Sequence, residues 1–474
     1  MSPDPALVDR LGRHGQEHLL GCWDRLDEAE QNSLAAELGA IDFDRLDDLV
    51  RRLVAVDESE APSAEAVEPI PVDRLPHTDG ERAARRQLAN LGASAIASGE
   101  VGVILVAGGS GTRLGFEGPK GTYPIGPVSG ASLFQIHAEK IAASAQKHGK
   151  AIPLYVMTSP DNHEVTARFF AEHNNFGLER VRFFVQGRMP AVDRETGKIL
   201  LAAPGRVALS PDGHGGTLAA LAAPSLDGGP SCLEEMKALG VRTLFYFQVD
   251  NPMVRIADPA FVGLHRQADA EMSFKVIEKQ APDEKLGVVV LAGGKPRVIE
   301  YSDLPPDLAE RRSPDGSLEL WAGSIAVHIL ERSFIERLVR NLELPYHRAI
   351  KAVSYVDASG AIVKPPKPNA VKFETFIFDA LPLATRFVLV ECDRAVEFEP
   401  LKNATGPDSP ETVRRRMSDQ FADWLESAGV AVPRRADGSS IHPIEISPLY
   451  APGASELKAK VAPGLVVDGP LRLE

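Results

Sequence analysis

The 474-residue chain is poor in cysteine. Cys22, Cys232 and Cys392 lie far apart and form no CxxC pair. That is the pattern of reduced, buried thiols in a cytosolic protein rather than of a disulfide framework. Cations are also in deficit, with 52 Lys and Arg against 66 Asp and Glu and a formal net charge of −14. An acidic chain lacks the basic footprint of a nucleic-acid surface, so no nucleic-acid partner is expected. No stretch approaches the roughly 18 apolar residues that a membrane span requires. Met1-Ser2-Pro3-Asp4 opens without an apolar signal-peptide region. The expectation is therefore a cytoplasmic protein with no membrane partner. Two phosphate motifs are missing as well. A P-loop needs GxxxxGK followed by Ser or Thr, whereas Lys120 is followed by Gly121. Gly109-Ser110-Gly111 is not completed to GxGxxG, because position 114 is Leu. The acidic ribose-binding residue expected about 20 residues on, after a second strand, is also absent, since Glu139 falls in a helical pattern. A nicotinamide oxidoreductase is thereby disfavoured.

What remains is ordinary in composition, 44% hydrophobic and 25% charged, and long enough for two or three domains. The stretch Val101–Gly121, VGVILVAGGSGTRLGFEGPKG, organises it. Val101 to Ala107 is apolar on both faces, as a buried parallel strand requires. It runs into Gly108, Gly109, Gly111 and Gly115. Glycines let successive backbone N–H groups approach an anion. Arg113 and Lys120 add two cations to the same loop. Glycine alone makes a turn; glycine flanked by two cations points to a polyphosphate.

In chain order, residues 1 to about 54 carry apolar positions at helical spacing, among them Leu7, Leu11, Trp23, Phe43, Leu46 and Leu49. His14 and His18 stand in HGQEH, which fits an HxxEH zinc pattern. Gly15 weakens the helix such a site needs, and no third ligand is evident. Ala55 to His77, rich in Pro, Glu, Ala and Ser, reads as a linker or strap, and Gly80 to Ser98 as a helix. After the loop, Ser132–His148 reads as helix, Ile152–Thr158 as strand, Asp161–His173 as helix with Asp161 near its N-cap, and Val181–Val185 as strand. This alternation implies a doubly wound parallel sheet, in which ligands bind beyond the carboxyl ends of the strands. Arg188 to Gly216 is expected as a long loop with short strands, ending at a helix from Thr217. Leu244–Val249 is a fourth strand ended by Asp250. Met272–Ile277, Leu286–Leu291 and Arg297–Tyr301 read as a β-rich insertion, and Trp321–His328 and Phe387–Glu391 as further strands. A helix from about Ser409 to Ala428 opens a small C-terminal domain. The division expected is residues 1–98, 99–395 and 396–474.

GGSGTRLG followed by PKG, Gln186-Gly187 after the third strand, PDGHGG at 211–216, VDNP at 249–252, EYSDL at 300–304, AGSIAVH at 322–328, PNAVKFETFIFD at 368–379 and PLKN at 400–403 together resemble the uridylyltransferases that make UDP-N-acetylhexosamines and UDP-glucose. The resemblance runs from about Glu68 to Glu411 and is closest to the UDP-N-acetylglucosamine pyrophosphorylase branch. It implies an α/β fold: a Rossmann-like, mixed or parallel-sheet nucleotidyltransferase core with a helical N-terminal region and a small C-terminal domain.

The reaction it implies joins UTP to a sugar 1-phosphate with release of pyrophosphate. The attacking phosphate oxygen is already an anion, so no general base is required. The obstacle is gathering negative charges, which positioning and charge neutralisation overcome. By resemblance, Arg113 and Lys120 contact the UTP phosphates, Lys402 grips them from the C-terminal side, and Asp250 holds Mg²⁺ (or Mn²⁺). Gln186 has an amide that can match the imide edge of uracil; the resemblance implies that it does so with backbone near Gly108 and Gly213, and that Gly109, Gly111 and His214 also bind UTP. Glu300 clamps sugar hydroxyls, Gly287 meets the sugar through its backbone, and Phe376 and Phe378 flank the 2-substituent. Ser324 and Val327 stand where the N-acetylglucosamine branch has Asn. His214 makes a Gly-His-Gly triplet closer to the glucose-type and broad-specificity branches. N-acetylglucosamine 1-phosphate is the expected substrate, with a glucose 1-phosphate or broad-specificity uridylyltransferase the alternative and a non-catalytic nucleotide-sugar sensor a third reading.

Overall fold

The computed structural model describes residues 2–54, 67–341 and 344–474. They fall into two compact units.

The first unit comprises the described residues of Met1–Ala61, Gln186–Thr217 and Glu343–Asp379. Its three helices begin where short polar side chains satisfy free N–H groups. In α1 (Pro5–Arg13), Asp4 accepts from Ala6 N at 2.9 Å, with Pro5 at the first turn. In α2 (Glu28–Ala40), Asp27 and Glu30 form a reciprocal capping box. In α3 (Phe43–Leu53), Asp42 accepts from Arg45 N at 3.0 Å. Their apolar faces, including Leu11, Leu34, Leu38 and Leu46, share one core with Val192, Ile199, Val207, Val371 and Phe373. A three-stranded sheet of Tyr346–Lys351, Ala370–Thr375 and Val192–Asp193 carries part of that core. The HGQEH stretch is no metal-binding helix. α1 ends at Arg13, and Gly15 turns the chain at φ +64°. His14 donates to Asp47 at 2.6 Å, while His18 bonds the Ile199 carbonyl at 2.8 Å.

The second unit comprises the described residues of Pro62–Val185, Leu218–Leu342 and Ala380–Glu474. Ten of its strands form one sheet: β1 (Val67–Pro69), β2 (Val101–Val106), β3 (Leu154–Thr158), β4 (Val181–Val185), β5 (Thr243–Gln248), β6 (Met272–Glu278), β7 (Val288–Ala292), β8 (Lys295–Ile299), β9 (Ala322–Glu331) and β10 (Phe387–Glu391). The main path runs β1-β7-β9-β5-β2-β3-β4. The expected parallel pairing holds for β5-β2-β3-β4. The strands expected as a β-rich insertion instead extend the same sheet. β9 pairs antiparallel with both β5 and β6, and β7 joins β9 at Val288↔Gly323. Such pairings are set by partners far away in the chain, so local alternation does not distinguish a separate hairpin from a sheet extension. Of the strap expected over Ala55–His77, residues 55–66 lie outside the described residues. The rest pairs as β1 with β7 and bridges Asp73 to Val390 of β10.

Helices α4 (Asp79–Ala97), α5 (Leu133–His148), α6 (His163–Glu172), α7 (Pro259–Gln267) and α8 (Pro410–Ser427) belong to this unit. The cap of α6 is Asn162, next to Asp161, and its side chain caps no helix N–H. Val413, Met417, Phe421 and Leu425 of α8 lie in the same apolar core as Val103, Leu105, Phe245 and Phe247 of the sheet. Helices α4 and α7 touch backbone to backbone. A Cβ on Gly92 would stand 1.9 Å from Pro259 O, and one on Gly263 would stand 1.8 Å from Leu88 O. Alanine at Gly92 gains about 1 kcal/mol of helix propensity. Forcing the helices apart costs about 1–3 kcal/mol or more, and the second effect wins. Gly92→Ala is therefore expected to lower the thermal midpoint by several degrees. An unchanged midpoint in a calorimetric scan would overturn this close approach.

Candidate active site

The loop after β2 folds back on itself. Gly111 N donates to Gly118 O at 2.9 Å, Lys120 N to Gly109 O at 3.1 Å, and Phe116 N to Gly111 O at 3.1 Å. Gly111 has to be glycine, because a Cβ there would meet the Phe116 ring at 2.7 Å. These bonds leave a row at the mouth of the strand: the N–H groups of Gly108, Gly109 and Ser110 donate to no group among the described residues. Consecutive unpaired N–H groups after a strand form an anion-binding concavity. Asn162, buried at the start of α6, fixes the entrance. Its Nδ2 donates to Ala107 O at 2.9 Å, and its Oδ1 accepts from Ser159 N at 2.9 Å.

Parallel pairing of β2 with β5 sets Asp250, two residues past β5, beside this loop. Its carboxylate lies 3.7 Å from Lys120 Nζ, both side chains being mostly buried. Leu401 ties the two to the segment that carries Lys402: Leu401 N donates to Asp250 O at 2.8 Å, and Lys120 Nζ donates to Leu401 O at 3.3 Å. Lys402 N donates to Asp408 O at 2.7 Å. The structure thus brings Lys120, Asp250 and Lys402 together on neighbouring backbone. Arg113 is exposed on the loop, with no acidic partner among the described residues.

Helix α5 holds the Asp250 segment from behind. His137 Nε2 donates to Val249 O at 2.9 Å, and Lys140 donates to Pro252 O and, at 3.0 Å, to Val254 O. Burial pushes His137 down to about 3, so the ring is neutral and carries its proton on Nε2. Burial pushes the Lys140 ammonium down to about 7, with Glu397 opposing. The sequence hides both roles, since each residue reads as one more polar position on an amphipathic helix.

Of the expected sugar residues, Gly287, Glu300 and Ser324 collect at the same end of the sheet. The antiparallel register Tyr246↔His328 brings the start of β9 beside the end of β5. Ser324 N donates to Gly287 O at 2.8 Å, and Glu300 lies over Gly287, where a Cβ would stand 2.9 Å from Glu300 Oε1. β9 bends at Ala326, φ +55°. Val327 is 2% exposed and packs in the main core.

Gln186, Gly213, His214, Phe376 and Phe378 lie in the first unit. Gln186 Nε2 donates to Gly213 O at 2.6 Å, leaving Oε1 as its acceptor. The 213–216 turn rests on the backbone of the Ala370–Thr375 strand end: Thr375 N donates to Asp212 O at 2.7 Å, and a Cβ on Gly213 would stand 2.2 Å from Thr375 O. Gly213 takes φ +84°. His214 meets Phe376 at 5.3 Å and Phe378 at 5.5 Å between ring centroids, and those two rings lie 5.0 Å apart. Burial, helped by His347, lowers His214 to about 4. Ile377 N donates to its Nδ1 at 3.2 Å, so the neutral ring presents Nε2–H. His347 stacks on Phe376 at 4.7 Å and holds Asp379 at 2.7 Å. Sequence reasoning missed His347, because no motif around it announces a role. A cavity of about 450 Å³ lined in part by Lys140, Met253, Arg255, Met417 and Trp424 contains none of the expected site residues.

The model of the UTP–glucose-1-phosphate uridylyltransferase family matches residues 48–406. The chain belongs to that family. It is 39% identical to human UDP-N-acetylhexosamine pyrophosphorylase-like protein 1 over 446 residues, covering 90% of this chain and 87% of that one. It is 37% identical to the UDP-N-acetylglucosamine pyrophosphorylase of Saccharomyces cerevisiae over 440 residues, covering 88% and 90%. Among solved structures, the uridine diphosphate N-acetylglucosamine pyrophosphorylase of Trypanosoma brucei superposes with a TM-score of 0.82 at 30% identity, covering 97% of this chain and 95% of that one. The mixed α/β architecture expected of the resemblance is the one observed. Among the described residues, no helix is long and apolar enough to cross a membrane.

Proposed function

We propose that the protein is a uridylyltransferase that joins UTP to N-acetylglucosamine 1-phosphate, releasing pyrophosphate. The observation that carries this reading is the set at the carboxyl ends of β2 and β5: uncommitted N–H groups, Lys120 against Asp250, and Lys402 on the adjoining segment, in a chain of this family. A phosphate oxygen of the sugar attacks the α-phosphorus of UTP. The bond from that phosphorus to the bridging β-phosphate oxygen breaks, and pyrophosphate takes the charge away. The Gly108–Ser110 amides, Arg113 and Lys120 neutralise the UTP phosphates, and Lys402 supports them. These groups are fixed before the reaction, so their charge costs little reorganisation as negative charge moves to the leaving group. Glu300 accepts from sugar hydroxyls beside Gly287.

Among the described residues, no three His, Cys, Asp or Glu side chains cluster as a metal cage. A single carboxylate fits Mg²⁺, which keeps waters and takes substrate phosphates as its other ligands. Asp250 is the residue that would hold it, and the bound ion would supply charge neutralisation where the two substrates' phosphates meet.

Glucose 1-phosphate is the second reading, favoured by His214 and by Ser324 in place of Asn. Ser324 is short and reaches an acetamido group through water. A pocket with fewer fixed polar groups discriminates less, because rejection depends on leaving buried groups unpaired. N-acetylglucosamine 1-phosphate is expected to be preferred, with measurable turnover of glucose 1-phosphate, and Ser324→Asn to widen the gap. The check is kcat/KM for both sugars under one set of conditions. A preference for glucose 1-phosphate above about tenfold, ~1.4 kcal/mol, replaces this reading with the glucose one.

A further inference from the structure

Lys275, in the middle of β6, is 1% exposed and carries no part of the reaction above. Its ammonium lies 2.9 Å from Asp258 Oδ2 and 2.6 Å from Glu397 Oε2, both carboxylates being nearly buried as well. A buried cation between two buried carboxylates is a poor source of net stability, because desolvation cancels most of the attraction. It is, however, a stiff one, since breaking it leaves a charge unpaired in the interior. Burial works against the charge on Lys275, and the two carboxylates outweigh it, so the ammonium is held in its charged form.

The two carboxylates sit at the ends of the segments that bear the proposed catalytic groups. Asp258 starts α7, its Oδ1 accepting from Ala260 N at 3.1 Å, and closes the 250–258 segment that Asp250 opens. Glu397 precedes the 398–402 segment that ends at Lys402. The two segments are stitched a second time near the site. Asn251 Nδ2 donates to Glu397 O at 2.7 Å, and Asn251 Oδ1 accepts from Met253 N at 3.1 Å and Glu399 N at 3.3 Å. Leu401 N then donates to Asp250 O at 2.8 Å. Lys275, Asn251 and Leu401 are thus three successive ties between one pair of segments.

We propose that Lys275 is a positioning residue: by clamping Asp258 to Glu397 it fixes the register of the two segments and hence the placement of Asp250 against Lys402. The inference rests on the function proposed above for what those two residues do, and on geometry alone for the clamp. A displacement of about 1 Å in such a set costs on the order of 10²-fold in rate.

The test uses the full-length protein and the variants Lys275→Met and Glu397→Gln. Two readouts are taken: hydrogen exchange of the Glu399 and Leu401 amides, and kcat against KM for UTP. Positioning predicts exchange at those two amides at least about tenfold faster than wild type, with the Val103 and Leu105 amides of β2 unchanged. It also predicts kcat at least about tenfold lower, with KM for UTP within about threefold. If Lys275→Met does not fold, Glu397→Gln carries the same criteria, because it keeps the carbonyl that Asn251 binds and the shape of the side chain. A folded variant with wild-type exchange at 399 and 401, or with kcat within about twofold of wild type, overturns the proposal. If wild-type protein releases no pyrophosphate with any sugar 1-phosphate, the functional reading fails, and the exchange readout alone decides the clamp.

Discussion

Asp250→Asn is expected to reduce pyrophosphate release by about 10³-fold or more at saturating substrates, on the scale of losing a preorganised electrostatic group together with its hold on a metal. Asn keeps the size and the hydrogen-bonding reach of the side chain. The backbone bond from Leu401 N to Asp250 O does not involve the side chain and survives, so the fold stays intact. What disappears is one negative charge. The Mg²⁺ ion proposed above would lose the carboxylate assigned to hold it, and Lys120, 3.7 Å away, loses its counter-charge. The two losses push in the same direction, which is why this variant heads the expected effects. The measurement is a Mg²⁺ titration of activity beside a thermal unfolding curve. A variant with the wild-type titration and activity makes Asp250 a turn residue and nothing more.

Much of the second unit could be read directly. Val101–Val106 and Leu154–Thr158 are found as strands near the expected limits, because strands buried on both faces are nearly continuous apolar runs; Val181–Val185 is found as well, although it is partly exposed and carries Arg182. Helix α5 starts at Leu133 with Ser132 as cap and ends against Gly149, φ +67°, both visible as end signals. Non-local pairing was not legible. Nothing in the residues of β6, β7 and β9 says that β9 borders β5. The helices α1–α3 raise the same difficulty. Their apolar faces are plain, but the strands on which they close come from 186–217 and 343–379. Asp161 adjoins the cap of α6, as expected, while the cap itself, Asn162, spends its side chain on Ala107 and Ser159, which only the packed loop reveals. Among the proposed site groups, Lys120 stands out beside its glycine loop, whereas Asp250 and Lys402 come from the family resemblance, since an Asp before Asn-Pro reads as a turn and a lone lysine as solvated. Lys275 was not legible, since a lysine inside an apolar strand reads as a solvated position until its two carboxylates, Asp258 and Glu397, are seen around it.

Lys120→Ala is expected to lower kcat by about 10²-fold while changing KM for UTP much less. Lys120 Nζ is held at two points, the Asp250 carboxylate and the Leu401 carbonyl, and its side chain is 18% exposed. Under the function proposed, a cation fixed in this way gains little from a resting nucleotide, whose phosphates would also meet the uncommitted Gly108–Ser110 amides. Its attraction grows as the bond from the α-phosphorus lengthens and charge builds on the departing pyrophosphate, so removing it raises the barrier more than it weakens binding. A lysine whose only task was to bind the nucleotide gives the opposite split, a raised KM with kcat retained. Steady-state kinetics of the variant, with circular dichroism as a control on folding, separates the two. Unchanged turnover with a raised KM for UTP assigns Lys120 to binding and leaves the stabilisation of pyrophosphate to Arg113 and Lys402.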